Sequence, residues 1–359
     1  MKILVDINHP GHVHFFKHLI REAKSRGHEV VVVASEKDQT TLLLEEYNIP
    51  YIRIRGYGKG LLRKLFNLFY LNLRILLIVL RHKPDVLVGI ASFRCAQIGF
   101  LTGRRTLIFD DTEHSKFEIA MYKPFASAIF TPSSFSDNLG EKQIRYNSYH
   151  ELAYLHPARF TPDSRVLEEI GIKPGEIFFV LRFVSWNAGH DMGQKGLSLS
   201  GKRRLVHLLE RHGRVLITSE GDLPDELARY RASISPGMIH HLLGFAHMYV
   251  GEGGTMATES AILGTPAVLI NPLRAGNFDE LRDKYQLLQQ FDNIDQAYPT
   301  IETLVNTRDL KERWSGRREI LLRDKMDASA FIIETVLPSS KTAEGEDSSG
   351  SPRLTASLD

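Results

Sequence analysis

The sequence predicts an α/β protein made of two Rossmann-like domains, each built on a parallel sheet. Two observations predict this class. Short apolar runs rich in β-branched residues alternate with helical patterns along the whole chain, and strands separated by helices pair in parallel. The length of 359 residues also exceeds what one ordinary core fills, since about 150 residues is a common size for a single domain.

The first half of the chain contains six apolar runs that predict the strands of one sheet. Helical patterns separate these runs, and the longest covers residues 61–83. Because successive strands of this kind need crossover connections, the sheet is expected to be parallel and covered by helices on both faces. The predicted strands are residues 2–7, 29–34, 51–54, 85–90, 106–110 and 128–131.

The second half repeats this alternation with four predicted strands and ends in a long amphipathic pattern. We interpret residues 308–335 as one helix that is long enough to cross back onto the first domain. In two such domains the carboxyl ends of the strands face a common cleft, where ligands of open parallel sheets bind. The predicted strands are residues 177–183, 214–219, 247–252 and 267–272.

Changes in composition predict where the domains begin and end. Residues 157–176 are interpreted as a hinge because they contain three prolines and the turn sequence KPGE. The two domains are therefore expected at residues 1–156 and 177–337. Serine, glycine and acidic residues dominate residues 338–359, which are predicted to form a disordered tail.

The overall composition is that of a globular protein and argues against several classes of function. A formal charge of +2 gives no global indication of a nucleic-acid partner. Cys95 is the single cysteine, which excludes an internal disulfide and a multi-cysteine zinc site and suits a reducing cytosol. Residues 2–5 are too short for the apolar core of a secretory signal, so a cytoplasmic location is expected.

The apolar helical pattern at residues 61–83 has two interpretations. Charged and polar residues interrupt it, so it falls short of the roughly 20 apolar residues that a membrane-spanning helix needs. The first interpretation is a long helix docked on the sheet. The alternative is a peripheral contact with an anionic membrane through residues 53–83, in which basic residues surround an exposed apolar face.

A glycine turn at the end of a predicted strand is the strongest indication of a ligand site. The segment GEGGTMATESAILGTPAVLINP covers residues 251–272. Gly253 and Gly254 allow close approach of the backbone to a ligand, and the helix that begins near Thr255 offers free N–H groups to an anion. Glu259, a little over one turn into this helix, can accept hydrogen bonds from a diol. Its alternative role is that of a partner of the helix dipole.

Two other strand ends of the second domain carry candidate ligand contacts. Arg182, in the segment LRFVSWNAGHD of residues 181–191, offers a planar fork that suits phosphate oxygens. Asn187 and His190 follow on the same loop, which is otherwise an ordinary surface loop with an ion pair. Ser219 ends another strand and is a candidate for lining a base pocket.

Three histidines lie close together in the segment DINHPGHVHFF, residues 6–16. A metal site is one interpretation of His9, His12 and His14, but no H-E-x-x-H pattern accompanies them. A second is a general base, for which His12 is the candidate because the positive end of a helix dipole keeps its ring neutral. His9 and His14 would then contact an acceptor. The third interpretation is a structural turn shaped by proline and glycine.

Acidic residues follow another strand of the first domain, in the segment FDDTEHS of residues 109–115. Asp110 or Asp111 is a candidate for orienting a catalytic histidine, and capping of the next helix is the alternative. The remaining candidates for contacts in the cleft lie in this segment and in YNSYHELAYLHP, residues 146–157, whose alternative role is to pack the connection between the domains. They are Glu113, His114, His150 and Glu151.

Two of these segments resemble parts of GT-B enzymes. Residues 253–266 resemble the donor-binding segment of peptidoglycan N-acetylglucosaminyltransferases and of non-hydrolysing UDP-N-acetylglucosamine 2-epimerases. Residues 11–34, GHVHFFKHLIREAKSRGHEVVVVA, resemble the opening of many GT-B glycosyltransferases, in which the histidine of GHV removes the acceptor proton. The implied donor contacts are Gly253, Gly254 and Thr255 with the diphosphate, Arg182 with phosphate, and Glu259 with the ribose hydroxyls.

The complete set of motifs is similar to a prokaryotic group called domain of unknown function 354, for which no reaction is established. The GT-B resemblance implies transfer of a sugar from a nucleoside diphosphate, with UDP expected, to a glycan or lipid-linked hydroxyl in polysaccharide synthesis. It implies no resident cofactor and no metal. The alternatives are a nucleotide-sugar 2-epimerase, whose family has H-R-R-E-N where this chain has RFVSWN, and a non-catalytic nucleotide-sugar-binding protein.

Overall fold

The structure of the protein, a computed structural model, describes residues 1–35, 38–54, 61–184, 196–219 and 221–338. The first sheet has seven parallel strands in the order β3-β2-β1-β4-β5-β6-β7. Six of them correspond to predicted strands. The strands are β1 (Lys2–Ile7), β2 (Glu29–Ser35), β3 (Ile52–Ile54), β4 (Val86–Ile90), β5 (Arg105–Phe109), β6 (Ala128–Pro132) and β7 (Gln143–Tyr146).

The second sheet has five parallel strands in the order β12-β11-β10-β8-β9. Two strands were not expected, β7 in the first sheet and β12 in the second. Both are short, polar and at a sheet edge, and so lack the apolar run by which a buried strand is recognised. The strands are β8 (Phe178–Phe183), β9 (Arg214–Ser219), β10 (Met248–Gly251), β11 (Ala267–Ile270) and β12 (Leu288–Phe291).

Helices cover both sheets in the way that crossover connections require. The helices are α1 (Pro10–Ser25), α2 (Asp38–Glu46), α3 (Leu61–His82), α4 (Phe93–Leu101), α5 (Lys116–Tyr122), α6 (Leu152–Leu155), α7 (Arg165–Glu169), α8 (Leu199–Glu210), α9 (Asp225–Ala228), α10 (Ile239–Phe245), α11 (Gly254–Ile262), α12 (Gly276–Asp283), α13 (Ile294–Val305), α14 (Leu310–Asp324) and α15 (Ala328–Val336), with a 3-10 turn at Pro236–Met238.

The first sheet buries a different set of helices on each face. Helices α3, α4 and α5 pack on the face that carries Leu4 and Leu87. Helices α1, α2, α6 and α15 pack on the opposite face, which carries Val5. The core of that second face continues into α10, α11 and α14 and onto the strands of the second sheet. One apolar core therefore joins the two lobes behind the strand ends.

The C-terminal amphipathic pattern forms two helices, although one was predicted. Lys325 has an extended backbone between α14 and α15, and the Asp327 side chain accepts a hydrogen bond from the Ala330 N–H to begin the second helix. Helix α15 packs on α1 and α6. Its Phe331 ring stacks on Tyr146, with centroids 4.8 Å apart. The chain thus crosses back onto the first sheet after a break that lets it change direction.

Three further predictions concern the C-terminal tail, the domain bounds and a membrane-spanning helix. Of the tail predicted at residues 338–359, residues 339–359 lie outside the described residues, and the domain bounds stay a prediction. In the part of the chain that the structure covers, no helix combines the length and the apolar character needed to cross a membrane.

Candidate active site

The histidine turn lies at the carboxyl end of β1, where α1 begins. The His9 ring caps the helix, since its Nδ1 accepts a hydrogen bond from the Gly11 N–H at 3.2 Å. The Asn8 N–H donates to Nδ1 of His12 at 3.3 Å. This contact leaves the proton of a neutral His12 ring on Nε2. A base acting through Nε2 needs the opposite tautomer, so His12 in this arrangement is suited to donating a hydrogen bond.

A buried ionic network centred on Asp6 and Arg94 contacts this turn. Arg94 Nη2 lies 2.7 Å from Asp6 Oδ1, and both side chains are almost completely buried. The Ser92 hydroxyl donates to the second oxygen of Asp6 at 2.5 Å, and Arg94 also donates to the side-chain oxygen of Asn8. The network therefore fixes the residue whose N–H contacts His12. The sequence prediction missed Asp6, although a charged residue near the end of a buried strand indicates a buried ionic partner.

Asp111 is partly exposed and is paired with His150. Its Oδ2 lies 3.1 Å from His150 Nδ1, and the Asp111 side chain is 26% exposed against 8% for His150. Burial opposes ionisation of Asp111, but the His150 ring and the Thr112 hydroxyl outweigh it and lower the pKa of the carboxyl to about 2. A smaller effect comes from His12. Asp111 is thus an ionised carboxylate near neutral pH.

His150 stands behind Asp111. Its Nε2 is buried and has no hydrogen-bond partner in the structure, and its ring packs on Phe15 with centroids 4.5 Å apart. Glu151, the next residue, is also buried. Burial and then the charge of Asp111 raise its pKa well above the usual range, with a further contribution from Glu259. The neutral form of Glu151 is therefore favoured relative to an exposed carboxyl group.

Asp110 points in the opposite direction from Asp111, into the first domain. Its side chain is fully buried. The Tyr122 hydroxyl donates to one oxygen at 2.5 Å, and the Thr112 N–H donates to the other at 3.0 Å. Burial raises the pKa of Asp110 to about 7. These contacts differ from both predicted roles, because neither oxygen bonds to a histidine in them and the N-cap residue of the next helix, α5, is Ser115.

Replacing Asp110 by asparagine is expected to change the pH dependence of stability. The native pKa, about 7, lies above the ordinary value of 3.8, so the wild type loses stability as pH rises from about 4 to about 7. The slope is at most about 1.4 kcal/mol per pH unit. A neutral amide has no such loss, so the variant should gain relative to wild type across that interval. Urea unfolding at pH 5 and pH 8 checks this, and parallel profiles would contradict it.

Glu259 lies inside the junction between the domains. Its Oε1 accepts hydrogen bonds from the Tyr154 hydroxyl at 2.8 Å and pairs with His240 Nε2 at 2.9 Å. Both bonds use one oxygen, so a bound diol would have to contact Oε2. His14 belongs to this interior group, since its ring lies 4.6 Å from that of His240. Burial and then His240 lower the pKa of His14 well below its usual range, and His14 is a buried packing residue here.

The glycine turn begins α11 as predicted, with Gly253 at the N-cap. Arg182 lies beside it, because a Cβ added to Gly253 would be 3.1 Å from Arg182 Cγ. A Cβ added to Gly254 would be 2.5 Å from the Phe278 ring. Larger residues would thus disturb both neighbours. Thr255 is exposed in the first turn of the helix.

Of three other predicted residues, the structure describes only one. Ser219 ends β9, level with Phe183 of β8. Asn187 and His190 lie outside the described residues. Glu252, which was not predicted, is almost completely buried. It accepts hydrogen bonds from the N–H groups of Leu197 at 2.6 Å and Val184 at 3.3 Å, so it contacts the chain just after β8 and just before α8.

Glu113 connects the two domains directly. Its Oε1 accepts hydrogen bonds from the N–H groups of Ser136 at 3.0 Å and Gly276 at 3.1 Å. Gly276 begins α12 of the second domain, so the carboxylate caps a helix of the other lobe. His114 is exposed next to it. In the described ranges, no group of three or more His, Cys, Asp or Glu side chains is arranged to hold a metal ion.

Comparison with known proteins agrees with this architecture. A family described as "Protein of unknown function (DUF354)" matches residues 1–339. The chain belongs to the DUF354 family. This DUF354 protein is also 23% identical to an uncharacterized protein of Methanocaldococcus jannaschii over 325 residues, which cover 87% of this chain and 89% of that protein.

Solved structures similar to the DUF354 protein are enzymes of two kinds. One is the UDP-GlcNAc 2-epimerase from Neisseria meningitidis bound to UDP-GlcNAc, at a TM-score of 0.69 and 12% identity, covering 94% of this chain and 100% of that one. Another is a glycosyltransferase from Streptomyces sp. SF2575 complexed with thymidine diphosphate, at a TM-score of 0.62 and 14% identity, with the same coverage. These likenesses confirm the GT-B-like fold of two Rossmann-like domains.

Proposed function

We propose that this DUF354 protein is a GT-B-type glycosyltransferase that moves a sugar from a nucleoside diphosphate to a hydroxyl acceptor. The observation that carries the proposal is the contact of the acidic segment after β5 with the second domain. Glu113, two residues after Asp111, accepts a hydrogen bond from the Gly276 N–H of α12 at 3.1 Å, and the Tyr154 hydroxyl of the first domain donates to Glu259 of α11 at 2.8 Å. The segment that carries the ionised Asp111 and the helix that begins with the glycine turn therefore both lie at the junction of the two domains. Similar structures bound to UDP-GlcNAc and to thymidine diphosphate support the substrate class.

The donor is proposed to bind on the second domain. Its diphosphate would contact the N–H groups at the start of α11 and the Arg182 guanidinium, and its ribose would contact Glu259. The leaving diphosphate develops negative charge as the sugar departs. Fixed N–H dipoles and a guanidinium stabilise that charge without reorganising.

The acceptor is proposed to bind on the first domain, between His12 and Asp111. Its oxygen attacks the anomeric carbon while the bond from that carbon to the diphosphate oxygen breaks. The hydroxyl becomes acidic as the new bond forms, and its proton then passes to the Asp111 carboxylate, a weak base that accepts it late in bond formation. His150 stabilises Asp111 from behind, and Nε2–H of His12 donates a hydrogen bond to the acceptor. This assignment gives the role of base to Asp111, whereas the sequence had indicated His12.

A second candidate is a nucleotide-sugar 2-epimerase. The specific observation that favours it is a second, buried carboxyl, Glu151, next in the chain to the His150 that contacts Asp111 at 3.1 Å. The pKa of Asp111 is lowered and that of Glu151 is raised. Epimerisation by elimination and re-addition needs a carboxyl base and a carboxyl acid near one substrate. The transferase is preferred because an acceptor-side group, His12, lies at the same strand edge.

The test is incubation of the purified protein with UDP-, GDP-, CMP- and dTDP-sugars, with and without glycan and lipid-linked hydroxyl acceptors. Products are identified by mass spectrometry and NMR. Acceptor-dependent release of the nucleotide supports transfer, whereas a 2-epimer formed without acceptor supports epimerisation. Binding with neither product would leave a binding protein.

A matched pair of variants tests the donor site. Glu259→Gln is expected to weaken UDP-sugar binding at least tenfold in calorimetry, because the amide loses the charge that accepts the ribose hydroxyls. Glu312→Gln, at an exposed position of α14, is the control and should bind as wild type does. If no nucleotide sugar binds, or if both variants bind equally well, the proposal fails.

A further inference from the structure

The outer face of α3 carries a stripe of exposed apolar side chains. Large apolar residues recur there at intervals of four, four and three positions, which aligns them on one side of a helix. They are between 43% and 72% exposed. On the opposite side of α3, Ile75, Ile78 and Val79 are buried against the sheet. The exposed residues are Phe69, Leu73, Leu77 and Leu80.

Helix α4 extends this surface. Asn72 Nδ2 of α3 donates to Gln97 Oε1 of α4 at 2.7 Å, so the two helices lie side by side. One turn beyond Gln97, Phe100 and Leu101 are 66% and 68% exposed. We call the six exposed residues of α3 and α4 the α3–α4 surface. An exposed patch of this kind marks a site of contact with a protein or a membrane.

The charge of this region selects between those partners. Residues 51–109 contain eleven lysines and arginines and a single acidic residue, Asp85. Of the eleven, Arg94 adds no surface charge because it is buried and paired with Asp6. The Asp85 carboxylate already accepts a hydrogen bond from the Lys2 N–H at 2.7 Å. The whole chain has 45 basic and 43 acidic residues, so this segment is strongly basic and the rest of the chain is net acidic. Arg81 and Arg105 are exposed at the ends of the same layer.

We infer that the α3–α4 surface docks on an anionic lipid bilayer. Apolar side chains enter the boundary between headgroups and acyl chains, and surrounding basic residues are attracted to lipid phosphates. A second copy of the chain is a poorer occupant. Symmetric pairing through this surface would bring two basic regions together with almost no acidic residue to meet them.

The orientation of α3 links this surface to the cleft. Helix α3 follows β3, so its first turns lie at the carboxyl edge of the first sheet, and Phe69 is nearer to the cleft than Leu80 is. Docking would hold the cleft close to the bilayer. Together with the proposed function, on which this consequence rests, the surface assigns the acceptor to the class of lipid-linked hydroxyl compounds.

Vesicle co-sedimentation tests the inference. Wild-type protein is expected to sediment with vesicles containing phosphatidylglycerol, to stay in solution with pure phosphatidylcholine, and to be released by high salt. The variant Leu73→Glu/Leu77→Glu should bind at least tenfold more weakly. Ile320→Glu replaces a similarly exposed apolar residue on α14, 48% exposed, and should bind as wild type does.

Three results would overturn the inference. They are no sedimentation of wild type with anionic vesicles, equal binding of the double variant and wild type, and a wild-type dimer in light scattering that the double variant abolishes. Vesicle binding needs no nucleotide, so Glu259→Gln should still bind. If the protein binds vesicles but binds no nucleotide sugar, the proposed function is wrong and the inference of membrane docking still holds.

Discussion

Replacing Arg94 by methionine is expected to destabilise the folded protein by about 3–5 kcal/mol. The Arg94 guanidinium and the Asp6 carboxylate lie 2.7 Å apart, and their side chains are 4% and 0% exposed. Without the guanidinium, the carboxylate keeps a hydrogen bond from Ser92 but has no opposite charge in a site closed to water. An uncompensated buried charge of this kind is among the costliest single changes in a protein.

Urea unfolding at pH 7 measures this effect. The double variant Asp6→Asn/Arg94→Met should recover part of the loss, since it removes both charges. The control is Arg203→Met, which breaks an ion pair with Glu226 whose side chains are 56% and 41% exposed and should cost less than about 1 kcal/mol. Equal effects of Arg94→Met and Arg203→Met would refute the importance of burial here.

Replacing Asp111 by asparagine is expected to lower kcat for sugar transfer by about 10²–10⁴-fold. The amide keeps the shape of the side chain and its place beside His150, but it cannot accept the acceptor proton. The KM for the donor should change little, because the donor contacts lie on the second domain. Steady-state kinetics with the nucleotide sugar identified in the panel measure both constants. Retention of more than about a tenth of wild-type kcat would show that another group is the base.

The pH profile of a neighbouring variant separates positioning from structure. His150 helps to hold the pKa of Asp111 at about 2, so His150→Asn should raise that pKa toward its ordinary value. Activity would then be lost at a higher pH on the acid side of the profile. A variant that merely folds less well would lower activity at every pH, and thermal melting distinguishes that outcome.

The strands with apolar runs could be predicted from the sequence because each run must be buried on both faces of a parallel sheet. Edge strands carry no such requirement. Gln143 and Arg145 in β7, and Gln289 and Gln290 in β12, give these strands the appearance of polar loops. The break at Lys325 was also missed, because an amphipathic pattern continues across it and only the packing of α15 on α1 requires the chain to turn.

By itself, the sequence determined the two-domain α/β plan and the positions at which strands end, including the glycine turn at Gly253 and Gly254. Apolar residue types directly indicate which strands are buried, and glycines directly indicate where the backbone needs conformational freedom. Which of two adjacent carboxyls is buried and which is partly exposed was decided only by tertiary structure. Asp110 meets Tyr122 and Asp111 meets His150, because neighbouring side chains at a strand end diverge and their partners come from distant elements. The pKa and the exposure of each carboxyl therefore depend on contacts with residues that lie far away in the sequence.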